Sequence, residues 1–190
     1  INVEWLFQDV LIELFSDKVL SKALFEDHNL LINLARYGYE KNLKFLYAKM
    51  IELFAPSEVK RVLRTVNYLR LSIENHWKIN SVKFMWKILE KNFNDEELRK
   101  FVLKKGVFSS NILLFSIANH AQSHEVCEFF WLKIKSLFDI ESLKKLLLER
   151  DGNETALDES ALTNNKNSFE FFLEKVYCEV FEPEDLIRMN

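Results

Sequence analysis

The chain has 190 residues, enough for one sizeable core or one extended array, and a single domain is the default reading. With 48% hydrophobic and 14% aromatic residues it can offset the entropy of folding, which excludes global disorder. Only three Gly and two Pro occur, too few for the many tight turns of a sandwich or barrel, so the composition predicts an all-α protein. The net charge of −3 hides a gradient: residues 55–105 carry 12 Lys+Arg and 6 Asp+Glu, whereas residues 151–190 carry 3 and 10. Solvated helix faces account for both regions, although a positive middle could also steer an acidic partner.

In chain order, the opening INVEWLFQDVLIELF reads as a helix ending at Phe15. Its acids and its lack of a basic leader argue against a signal peptide, and no run approaches a membrane span. It has no initiator Met, so the chain is expected to be a piece of a longer protein. After Phe15 the polar SDK marks a second helix start. The same sequence of features returns in LYAKMIELFAPSEVK (46–60), MWKILEKNFNDEELR (85–99), FWLKIKSLFDIESLK (130–144) and FLEKVYCEVFEPEDL (172–186). Phe15, Phe54, Phe93, Phe138 and Phe181 are spaced 39, 39, 45 and 43 residues apart, a period that means a repeat architecture. Each Phe precedes a helix-start sequence. Ser, Asn or Asp can accept from free N–H groups there, acids complement the helix dipole, and Pro56 and Pro183 lose no internal bond.

A second block recurs between these junctions. LLINLARYGYEKNLKFLY (30–47) aligns without a gap with ALDESALTNNKNSFEFFL (156–173). YLRLSIENHWKINSVKFMW (68–86) and LLFSIANHAQSHEVCEFFW (113–131) fit with one extra residue. Each block is a short helix closed by Ala35, Ile73, Ala118 or Ala161, then a polar turn and a longer helix. The apolar stripes, with Trp5, Trp86 and Trp131, read as core, while Trp77 in ENHWKIN should be partly exposed. Cys127 and Cys178 lie in apolar helical patterns and are expected to be buried, reduced thiols, which fits an intracellular compartment, cytoplasmic or nuclear. Delivery into a host cell as an effector is the alternative location.

The stretch GNETALDESALTNNKNSFEFFL resembles an ankyrin repeat. Thr155, Ala156, Leu157 and Ala161 stand at the Thr, Pro/Ala, Leu and final Ala positions of that family's helix-opening motif, with Asp158 where the family has His. Asp151-Gly152 resembles the family's hairpin turn, and Gly38 falls at its inter-helix glycine. The other units are degenerate and longer than the ~33 residues of ankyrin, the excess being the helix after each Phe. The resemblance implies a right-handed α-solenoid of stacked ankyrin-like repeats over 1–190. It comprises a partial unit at 1–28 and units at about 29–66, 67–111, 112–154 and 155–190.

The resemblance also implies a protein–protein interaction module with a concave face. Its inner-helix ends would be Arg36 and Tyr37, Glu74 and Asn75, Asn119 and His120, and Leu162 and Thr163. Mid-helix surface positions would be Asn33, Leu71, Ser116 and Glu159, and loop positions His28, Ser110, Asn153 and Glu154. The expected partner is another protein, with no cofactor, metal or catalytic residue. His120 and His124 are four apart, with Glu125 and Cys127 nearby, but they fall in a polar turn where solvated His is ordinary. Paired acids recur at helix starts, where capping explains them. Two further readings remain. Lys60, Arg61, Arg64, Arg70, Lys78, Lys83 and Lys87 could form a nucleic-acid-binding stripe, and exposed array ends could self-associate.

Overall fold

A computed structural model describes residues 40–65, 69, 72–73, 78–103, 113–121, 123–150 and 153–184, together with Glu13 and Ser16. All the regular structure among these residues is helical. The chain divides into two compact units, Ile1–Asn92 and Phe93–Asn190. No helix among the described residues is long and apolar enough to cross a membrane.

In the first unit, α1 (Glu40–Leu53) packs on α2 (Pro56–Thr65) and on α3 (Ile79–Asn92). Leu43, Leu46 and Met50 form the buried stripe of α1, and Val82, Met85, Trp86 and Leu89 that of α3. These i, i+3, i+4 spacings place apolar side chains on one face, and their burial is the main driving force for packing the pair. Asn92 Nδ2 ties α3 to α1 by donating to the Tyr47 hydroxyl at 3.0 Å, and within α3 the Trp86 indole donates to Glu90 at 2.7 Å.

The second unit contains α4 (Asp95–Leu103), α5 (Leu113–His120), α6 (His124–Leu137), α7 (Ile140–Leu148) and α8 (Ala156–Leu162). Helix α9 follows, running from Lys166–Phe171 through a π-helical stretch, Phe172–Tyr177, to a last turn at Cys178–Val180. Helix α5 packs on α8, α6 on α9, and α7 on the last turn of α9. In the sequence alignment α1 and α3 are equivalent, as are α5 and α8, and α6 and α9. Equivalent helices therefore lie against each other within each unit.

The phenylalanine junctions share a local geometry. The N–H groups of Phe54, Phe138 and Phe181 each close a final helical turn, on the carbonyls of Met50, Ile134 and Tyr177. Phe138 and Phe181 then turn extended, at φ −123° and −112°. Phe54, Phe93 and Phe181 are buried, Phe138 is half-buried, and Phe15 lies outside the described residues. The next helix starts at once. Asn94 accepts from the Glu97 N–H while Glu97 accepts from the Asn94 N–H, and Asp139 accepts from the Ser142 N–H at 2.7 Å. That N–H holds the Asp139 carboxyl below the usual carboxylate range.

One departure has a simple arithmetic cause. The long helices start 14 positions before their phenylalanine at Glu40, Ile79 and His124, but 15 before it at Lys166. Helix α9 absorbs the additional residue in its π-helical stretch and returns Phe181 to the helix-end position. Three positions before the phenylalanine, Ile51, Glu90 and Lys135 are exposed, and so is Cys178, the residue in that register in α9. This corrects the expectation of a buried Cys178. Both thiols are free; Cys127 is buried, and burial pushes its pKa up to about 11.

The turn between α8 and α9 contains Asn164 at φ 54°, a left-handed conformation that disfavours residues with a Cβ. In the gapless alignment Asn164 is the counterpart of Gly38, which itself lies outside the described residues. Asn is the side chain best able to stand in for Gly at such a turn.

Candidate interaction surface

Six of the sixteen positions singled out as partner-binding fall on α5, on α8 or in the turn directly after α8. Asn119 and His120 close α5 and are half-buried; Leu162 and Thr163, at the end of α8, are exposed. The two helix ends adjoin because Asn165, following α8, donates through Nδ2 to the Ala121 carbonyl, following α5, at 3.1 Å. Leu162 is 69% exposed, the highest value among the described large apolar side chains. The surface therefore combines an exposed leucine, an imidazole, an amide and a hydroxyl. Thr163 Oγ1 donates back to the Glu159 carbonyl at 2.8 Å. This fixes the hydroxyl and leaves Leu162 as the principal apolar contact.

Ser116 does not belong to this surface. It was expected at a mid-helix surface position, but it is 1% exposed and its hydroxyl has no hydrogen-bond partner. Every residue of α5 from Leu113 to Ala118 is buried, because α8 and α9 both pack on this short helix. Glu159 is half-buried on α8. Asn153 and Glu154 precede α8, at the opposite end from Leu162, separated by a helix rising about 10 Å. The Asn153 carbonyl accepts from Arg150. His28, Asn33, Arg36, Tyr37, Leu71, Glu74, Asn75 and Ser110 lie outside the described residues, as do Trp5, Trp77 and Arg70.

The motif that carried the family resemblance has a definite structural role. Thr155 caps α8, its hydroxyl accepting from the Asp158 N–H at 3.3 Å, while the Asp158 carboxylate accepts from the Thr155 N–H at 2.8 Å. Asp158, standing where the family has His, thus closes a reciprocal cap.

A polar ladder joins α6 to α9. The Trp131 indole and Lys135 both donate to Glu179 Oε2, at 2.9 and 2.7 Å, and Lys175 pairs with Glu128. Burial raises the Glu179 carboxyl, but the two donors outweigh it and hold the group below the usual carboxylate range. Beneath the ladder, the Ser168 hydroxyl donates to the Ile117 carbonyl at 2.8 Å, and Cys127 Sγ lies 3.9 Å from that hydroxyl. Desolvation keeps this thiol protonated, so it is packing material rather than a nucleophile.

His120 ends α5 and His124 begins α6, the latter ring lying edge-on to Phe171 with centroids 6.2 Å apart. No group of three His, Cys, Asp or Glu among the described residues is arranged to hold a metal ion. A shallow cleft of about 450 Å³ lies between Leu103 of α4 and Phe138, Ser142, Lys145, Leu146 and Glu149 at α7. In the first unit, Arg61, Arg64, Lys78, Lys83 and Lys87 are exposed and Lys60 is half-buried. No known family, characterised protein or solved structure matches this chain.

Proposed function

We propose that this chain is a protein-interaction module, a right-handed α-solenoid of ankyrin-like units that binds a partner protein through a concave face. The observation that carries the reading is the packing of equivalent helices on one another: α1 on α3, α5 on α8 and α6 on α9. A helical unit cannot bury its apolar side alone, so copies stack and leave the helix ends and turns free to vary. Those ends supply the binding side chains, and the tied ends of α5 and α8, with His120, Leu162 and Thr163, are the candidate patch. A buried thiol and capping carboxylates supply no reacting group, and no reaction is assigned to the chain.

The test is a pull-down from cell lysate with the full chain, repeated with His120→Ala and Leu162→Asp, each checked for retained helicity. Loss of the same partner from both variants supports the reading. Unchanged recovery contradicts the assigned surface. A steeply salt-dependent, sequence-independent complex with generic DNA or RNA would instead favour the exposed basic residues of the first unit as the functional surface.

A further inference from the structure

The two helix pairs of the second unit, α5–α6 and α8–α9, share one sequence pattern, but among the described residues only one of them is covered by a further pair. On α5–α6, Leu114, Ala118, Cys127 and Trp131 are all at most 1% exposed. The next pair covers them. Ser168 and Asn165 bond to carbonyls at the end of α5, Ser168 reaches Cys127, and Glu179 takes the Trp131 indole. The aligned positions on α8–α9 are Leu157, Ala161, Phe169 and Leu173. Leu157 and Phe169 are half-buried, Ala161 is exposed and Leu173 is 45% exposed. Leu157 and Ala161 are four apart on α8, as Phe169 and Leu173 are on α9, so each pair shares a helix face. The α8–α9 pair thus presents, open to solvent, the type of face that α5–α6 uses to receive a helix pair.

Charge decides what fits there. Glu170, beside Phe169, aligns with Glu128, which receives Lys175 from the covering helix, while Glu170 itself lies 3.6 Å from exposed Lys166 one turn earlier on α9. Exposed Glu174 follows Leu173, and residues 151–190 carry 10 acids against 3 bases. A second copy docking by two-fold symmetry would set these acids against their own kind. A helix with an apolar stripe edged by Lys or Arg would bury the four side chains and set its cations beside Glu174 and the Lys166–Glu170 pair, as Lys175 stands beside Glu128.

We propose that the Leu157–Ala161–Phe169–Leu173 face of α8–α9 is a second interaction site, whose partner is a basic amphipathic helix. This site is separate from the helix-end patch and does not depend on it.

The test uses fluorescence anisotropy of the full chain with a synthetic leucine–lysine amphipathic helix of about five turns. A leucine–glutamate counterpart serves as control. Saturable binding of the lysine peptide alone is expected, weakened about tenfold or more by Leu173→Asp. It should be unaffected by Leu132→Asp, which alters a leucine of α6 that is exposed outside the α5–α6 positions the next pair covers. Leu173→Asp adds negative charge, so a purely electrostatic complex would be held or strengthened by it. That result would overturn the proposal, as would binding of both peptides or of neither. Sedimentation of the chain alone supplies the last check: a concentration-dependent increase in mass abolished by Leu173→Asp would identify a second copy as the occupant and also overturn it. Ala161→Asp, at an exposed position, repeats the test if Leu173→Asp fails to fold.

Discussion

Trp131 on α6 and Leu173 on α9 occupy the same place in the repeated pattern, yet one is buried and the other open to water. The residue types differ less in hydrophobic character than the environments do. What separates them is the neighbour: α9 covers Trp131, and nothing among the described residues covers Leu173 to the same extent. Burial in such a chain is a property of neighbours, and a position's contribution to stability depends on where its unit stands.

The largest effect should come from contrasting these two positions. Trp131→Ala removes a fully buried ring and is expected to cost about 3–5 kcal/mol, whereas Leu173→Ala should stay within about 0.5 kcal/mol. Urea unfolding of both variants measures the difference, and equal losses would break the comparison.

Alkaline pH should sharpen it next, because two groups, Cys127 on α6 and Tyr177 on the inner side of α9, are held neutral by burial. Cys127 is raised from 9.0 to about 11, and Tyr177, whose hydroxyl donates to the Leu147 carbonyl, from 10.0 to about 12. Above its ordinary pKa each group ionises in the unfolded chain but not in the folded one. Their contribution is therefore complete below the unfolded pKa and is lost as pH rises through the folded value. Urea midpoints measured across that range should fall with pH, and less steeply in a Cys127→Ala, Tyr177→Phe variant.

A smaller loss is expected on removing the acceptor of the ladder. Glu179→Ala leaves the Trp131 indole unpaired and should cost about 1–3 kcal/mol, while Glu179→Gln should retain part of it. Because the folded carboxyl is lowered, its contribution is present above the ordinary carboxylate pKa and is lost as pH falls through the folded value. Salt and acid should therefore narrow the gap between wild type and Glu179→Ala. The smallest effect is at the cap of α8, where Thr155→Ala should cost about 1 kcal/mol by thermal melting, with Thr155→Ser close to wild type.

Much of this architecture was legible in the sequence because junction chemistry is local. The helix starts after Phe54, Phe93 and Phe138 follow from acids, Asn and Pro placed where free N–H groups need partners. The burial of Trp86 and Trp131 follows from helical periodicity. Asn164 could have been read as a left-handed residue, since it aligns with Gly38. Three features required counting between units. Cys178 looked buried because its neighbours are apolar, yet the equivalent Ile51, Glu90 and Lys135 are all exposed. The π-helical stretch is signalled only by one additional residue between Lys166 and Phe181. Ser116 was misplaced by analogy with family surface positions, although LLFSIA, apolar nearly all round, already marks a helix covered on several sides.

The candidate surface was less legible than the fold. Leu162 and Thr163 are exposed, but Ser116 and Glu159, at aligned positions of α5 and α8, differ in exposure, because α8 and α9 both pack on α5. Pattern identifies which residues share a face; it does not show which faces are covered.

Through-space contacts in solution test the central claim most directly, since the account requires α6 and α9 to lie side by side. Nuclear Overhauser spectra should show the Trp131 ring close to residues of α9 around Val176 and Glu179, and the Cys127 β-protons close to Ser168. Spectra in which Trp131 and Cys127 contact only residues of their own helix would contradict the stacking of equivalent units on which the functional reading rests.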